Sequence, residues 1–127
     1  GTPMAILPVC DHYDPPVPLD LVAFTFAEPS QCWSRTGKYP VINPSAVADA
    51  WLDKRPLLVS GTPLGWIEIN CEGVVVLDWQ PSTVALNLAA ARQIISFSPG
   101  VVASLTGIFK YDVDPPEIRL AEVRNAA

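Results

Sequence analysis

Hydrophobic residues along this chain fall in short runs, broken by proline or polar turn residues, and most of the runs alternate rather than recur at helical spacing. Between Leu19 and Phe26, the residues Val22, Phe24 and Phe26 share one face, with Asp20 at the turn edge. This pattern predicts a strand that Glu28-Pro29-Ser30 ends. Gln31 to Tyr39 has no clean period and reads as a long loop. Asn43 and Pro44 then open the one segment with convincing helical spacing. Asn43 is placed to cap it, Pro44 suits the first helical position, and Val47, Ala50, Trp51 and Lys54 follow one stripe until Pro56 ends it.

From there the pattern predicts strand after strand. Leu57-Leu58-Val59 is short and apolar enough to be buried. Residues 65–70 and 73–79 flank Cys71-Glu72-Gly73 as a hairpin in which Gly73 supplies a positive φ, with Ile67, Ile69 and Cys71 on one face. Thr83 to Ile95 fits two templates. Val84, Leu88, Ala91 and Ile95 suit a helix, and Val84, Leu86 and Leu88 followed by Ile95 and Phe97 suit two strands; the β neighbourhood favours strands. Ser98-Pro99-Gly100 reads as a turn, Val101 to Tyr111 as a strand with a bulge at Gly107, Asp114-Pro115-Pro116 as another turn, and Glu117 to Val123 as a last strand. The sum is an all-β domain, an antiparallel β-sandwich or flattened barrel of eight or nine strands with one short helix. Its expected core contains Val22, Phe24, Ile67, Ile69, Val75, Leu77 and Ile108.

Composition sharpens this picture. Fourteen prolines in 127 residues argue against long helices and unbroken central strands. They concentrate early, so residues 1–18 read as a proline-rich linker with an extended path, Gly1-Thr2 as a cloning scar, and residues 19–127 as one β domain. A net charge of −5 with only eight Lys and Arg argues against nucleic acid as a partner of this domain. No apolar run approaches the roughly 20 residues that cross a bilayer, and Gly1-Thr2-Pro3-Met4 lacks the charged start of a signal peptide, so no membrane insertion is expected. Cys10, Cys32 and Cys71 cannot all pair within one molecule and are expected as free thiols in a reducing compartment.

Candidate chemistry is sparse. His12 is the single histidine, and neither a nucleophile elbow nor a phosphate-cradling glycine loop occurs, so a non-enzymatic role is expected. A hydrolase using acidic residues is the third-ranked alternative. Cys10, His12, Cys32 and Cys71 match the ligand types of a structural zinc site, yet their spacing fits no zinc knuckle, and cysteines serving as small hydrophobes are the preferred reading. Asp112 and Asp114 alternate before a turn and form the candidate calcium pair; no other cofactor is expected. Trp33 lies among polar residues with Arg35, Lys38 and Tyr39, and these four form the candidate binding or interface site. An aromatic beside cations in an irregular segment suits recognition.

The text Cys10-Asp11-His12-Tyr13-Asp14-Pro15-Pro16, together with Gly65-Trp66-Ile67-Glu68-Ile69-Asn70, resembles the capsid proteins of prawn and shrimp nodaviruses, specifically their C-terminal protruding domain. The resemblance implies a non-enzymatic spike domain on the virion surface, assembled in the host cytoplasm. It would be joined to the capsid shell domain of the same chain, pair as a homodimer and attach to a host-cell receptor. The alternative is a carbohydrate- or protein-binding β-sandwich module from a phage tail or a bacterium.

Overall fold

Of the four helices among the described residues, three begin on a proline. The computed structural model describes residues 4–10 and 18–122. Its elements run β1 (Met4–Cys10), β2 (Pro18–Thr25), β3 (Cys32–Ser34), β4 (Val41–Ile42), α1 (Ser45–Leu52), β5 (Leu57–Ser60), α2 (Pro63–Glu68), β6 (Val74–Val76), α3 (Pro81–Leu88), β7 (Gln93–Ser96), α4 (Pro99–Phe109) and β8 (Glu117–Leu120). Proline lacks the N–H that a first helical turn leaves unpaired, and its fixed φ already suits a helix, so Pro63, Pro81 and Pro99 start helices rather than forbid them. Two of these starts carry a side-chain cap: Thr62 Oγ1 accepts from Gly65 N at 3.0 Å, and Ser98 Oγ accepts from Val101 N at 3.4 Å.

The strands form two sheets. β1, β2 and β3 make an antiparallel meander, and the second sheet has the order β4-β6-β5-β7-β8. In that larger sheet β5 is parallel to both β6 and β7, β7 is parallel to β8, and only the edge strand β4 runs antiparallel. The helices α2, α3 and α4 each connect successive parallel strands, as crossovers between parallel neighbours must.

The β-rich reading therefore holds at the level of two sheets and eight strands among the described residues, and fails in its architecture. Four helices replace the expected one, and a mainly parallel sheet replaces the antiparallel sandwich or barrel. Residues 65–70, expected as half of a hairpin, lie mostly in α2; the expected strands over 83–95 divide into α3 and β7; and 101–111 is almost wholly α4. The loop expected over 31–39 contains β3, and residues 4–10 of the expected lead-in are a strand laddered to β2 from Met4↔Thr25 onward. Asn43 does not cap α1: it adopts φ +59° and its side chain donates to Gly73 O at 2.9 Å.

Both faces of the larger sheet are covered, which explains why Val74, Val75 and Val76 are all buried. On one face Leu57, Val59, Val74, Val76 and Ile94 pack with Val47 and Ala50 of α1, Val84 and Leu88 of α3, and Val101, Leu105 and Phe109 of α4. On the other, Ile42 and Val75 pack with Val9 and Val22 of the small sheet, and Trp66 of α2 lies against them. Of the expected core, Val22, Phe24 and Val75 are fully buried. Ile69, Leu77 and Ile108 are half-buried and Ile67 is exposed: Ile67 and Ile108 stand in α2 and α4, where no strand alternation exists, Ile69 follows α2, and Leu77 follows β6.

Candidate functional site: a cleft at the sheet reversal

In the strand order β6-β5-β7-β8, the chain leaves β5 toward one edge of the sheet and leaves β7 toward the other. The loops that follow these neighbouring strands diverge, and the crevice beyond their carboxyl ends is where open α/β sheets bind ligands. Here it is a hollow of about 730 Å³. Ser60-Gly61-Thr62 forms its wall on the β5 side and Ser96-Phe97-Ser98 on the β7 side, with Glu68 and Ile69 of the α2 region and Glu122 beyond β8 completing it.

Small residues are what bring the two walls together. A Cβ on Gly61 would stand 2.8 Å from Val101 Cγ2, so the β5 loop reaches the first turn of α4 only because Gly61 has no side chain. Most hydroxyls around the hollow are committed to the backbone. Thr62 and Ser98 cap their helices, and Ser96 Oγ accepts from Ser98 N at 3.2 Å. Ser60 is the exception: its hydroxyl makes no hydrogen bond to another described residue, and since no buried side-chain polar atom among those residues lacks a partner, the Ser60 hydroxyl is open to solvent in the cleft. A hydroxyl with free donor and acceptor capacity on the wall of a cleft can exchange its water for a hydrogen bond to a guest. The two titratable groups in the lining, Glu68 and Glu122, are both carboxylates, so the local charge favours a neutral or cationic guest over an anion.

The residues singled out from the sequence lie elsewhere. Trp33 on β3 is 52% exposed, Arg35 and Lys38 stand exposed in the following loop, and Tyr39 packs against the second core cluster. That loop is tied down by Asp20, whose carboxylate accepts from Leu21 N at 2.8 Å, Thr36 N at 3.1 Å and Thr36 Oγ1 at 2.9 Å. Burial pushes the Asp20 carboxyl upward, but the hydrogen bonds from Leu21, Thr36 and Gly37 outweigh it and hold the group below the usual aspartate value. Asp112 and Asp114 share one turn, in which Asp114 N donates to Asp112 Oδ1 at 3.3 Å, and the Asp114 carboxylate is taken by Arg92 at 3.0 Å.

The cysteines do not assemble. Cys10 and Cys32 are half-buried in the small sheet, whereas Cys71 is exposed after α2, not aligned with an apolar face as the hairpin reading implied. Burial raises the Cys32 thiol above its ordinary value. His12 lies outside the described residues, and among those described no three His, Cys, Asp or Glu side chains group as a metal site.

Sequence reasoning missed the cleft. The signal was present twice, as an apolar strand followed by a small hydroxyl residue and proline: Leu57 to Ser60 before Thr62-Pro63, and Gln93 to Ser96 before Ser98-Pro99. Each is a strand, a capping residue and a helix start, the βα unit of a parallel sheet. The fold and cleft together define the molecule's class as an open α/β domain with an antiparallel three-stranded addition. The chain matches no protein-family model, and no curated protein or solved structure is found similar to it.

Proposed function

We propose that this chain is a binding domain that holds a small, neutral or cationic, hydroxyl-bearing ligand in the cleft between the β5 and β7 loops. The observation that carries this reading is a hollow at the reversal of a parallel sheet, on whose wall the Ser60 hydroxyl is open to a guest and uncommitted to any described residue. The volume of about 730 Å³ lies in the range of small-molecule pockets. Val59, Ile69 and Phe97 supply apolar walls, and the serines and backbone supply orientation.

The test is an amide-resolved NMR titration of the protein with nucleosides, hexoses and amino alcohols. At least one compound is expected to shift the amides of Gly61, Thr62, Phe97 and Ser98 saturably. Ser60→Ala should weaken that compound by roughly three- to tenfold, the worth of one buried hydrogen bond of about 0.5–1.5 kcal/mol. Shifts scattered over the surface, or an affinity that Ser60→Ala leaves unchanged, would remove the cleft as the site.

A second reading retains the attachment role implied by the nodavirus resemblance. It is supported by the exposure of Trp33, Arg35 and Lys38 on and beside the edge strand β3, in a loop that Asp20 holds in place. An exposed aromatic with neighbouring cations has the composition of an interface anchor. In this reading the domain pairs with a second copy or meets a host-cell receptor through that edge. Trp33→Ala should then abolish concentration-dependent dimerisation in sedimentation while moving stability by no more than about 0.5 kcal/mol, as surface substitutions do. A variant that dimerises as the parent does would exclude Trp33 from the contact.

A further inference from the structure

The opposite end of the sheet carries a second cleft, of about 370 Å³, where the C-terminus of α1 meets the segment leading into β7. Its walls are apolar: Ala50, Trp51, Leu52 and Ala91. Its rim is cationic: Lys54, Arg55 and Arg92. These are three of only eight Lys and Arg in a chain of net charge −5, so positive charge is concentrated at one small apolar hollow. Trp51 is 57% exposed and Leu52 67% exposed, although the helical stripe would place Trp51 in the core. The last turn of α1 holds no basic residue and its C-cap is Asp53, so compensation of the helix dipole does not explain why these cations gather beside the exposed tryptophan.

We infer that this cleft docks an acidic segment of a partner protein that carries a large apolar side chain. The chain itself displays the recognition chemistry. Asp114, from the exposed segment Asp112-Val113-Asp114, already seats its carboxylate on Arg92 at 3.0 Å, and Asp53 lies 3.6 Å from Arg55. All four side chains of these pairs are more than half exposed, so neither pair contributes more than about 1 kcal/mol and both yield to a better-placed carboxylate. Guanidinium groups donate to a carboxylate in bidentate geometry, and the exposed Trp51 and Leu52 offer surface that an apolar side chain would cover. Tryptophan and arginine are also the residues on which interface energy concentrates.

The probe is a short fluorescent peptide with Phe and Leu set among Asp residues, with a Lys-for-Asp counterpart as control, titrated by anisotropy into the whole chain. The acidic peptide is expected to bind saturably, and more weakly as salt rises. Arg55→Glu combined with Arg92→Glu should weaken it at least about tenfold, and Trp51→Ala should do the same, with thermal unfolding unchanged because all three side chains are largely exposed. Asp114→Asn, which frees Arg92, should tighten it. Absence of saturable binding, equal binding of the lysine peptide, preference for single-stranded RNA, or wild-type affinity in the charge-reversed variant would each overturn the assignment. None of these results depends on the Ser60 cleft.

Discussion

Gly73→Ala is expected to destabilise the domain by about 3 kcal/mol or more, from two costs that add. Gly73 sits at φ +74°, a conformation that costs an L-residue roughly 1–2 kcal/mol. A Cβ there would also strike the carbonyl and Cβ of Leu58, so β5 and the start of β6 would have to separate, and such overpacking costs about 1–3 kcal/mol. The Gly73 carbonyl is moreover shared between Asn43 Nδ2 at 2.9 Å and Trp66 Nε1 at 3.1 Å, so a displaced backbone would strand two side-chain donors. Gly37 provides the control. Its φ is +69°, but nothing lies within 4 Å of its missing Cβ, so Gly37→Ala should cost only the conformational part. Urea unfolding of the two variants separates the contributions, and equal losses would show that the Leu58 contact is not a constraint.

Gly73 also marks the line between what the sequence made legible and what it did not. Its need for a positive φ is readable from its place in a tight turn, and the structure has it. The elements on either side are not what alternation suggests, because Gly65 to Asn70 alternates as well as any strand while its neighbours Thr62 and Pro63 specify a helix start. Capping chemistry outweighs a period of two over six residues, since a short segment satisfies either periodicity. The same competition misassigned the chain after Ser98, where Ser98-Pro99 signals a helix and the apolar richness of Val101 to Phe109 signals a buried strand. Proline density suggests a barrier to helices, but position decides its meaning, and Pro63, Pro81 and Pro99 all stand where a helix begins.

The candidate site shares that history. A cleft at a sheet reversal exists only once strand order is known, and order is a long-range property that no local window contains. The Trp33 loop was legible because exposure follows from local polarity, and Trp33, Arg35 and Lys38 do stand in solvent. Trp51 was not, since its helical spacing matches the buried Val47 and Ala50, yet it stands 57% exposed beside Ala50 in the second cleft.

Opposite signs are expected from two substitutions in α4, and they discriminate the helix from the strand that alternation predicts. Leu105 is completely buried against the larger sheet, one turn from both Val101 and Phe109, so Leu105→Ala should cost about 2–5 kcal/mol through lost contacts and the cavity left behind. Gly107 lies two residues further on the outward side, with nothing within 4 Å of its missing Cβ and no positive φ. In a helix interior, alanine is favoured over glycine by about 0.8–1 kcal/mol, so Gly107→Ala should stabilise the protein by roughly that amount. In a strand, residues 105 and 107 would share one face, Gly107 would be the bulge, and alanine there would be destabilising. Denaturant midpoints of the two variants decide between the pictures. A loss of stability in Gly107→Ala comparable to that in Leu105→Ala would mean that this segment is not a helix, and the cleft whose β7 wall leads into the first turn of α4 would go with it.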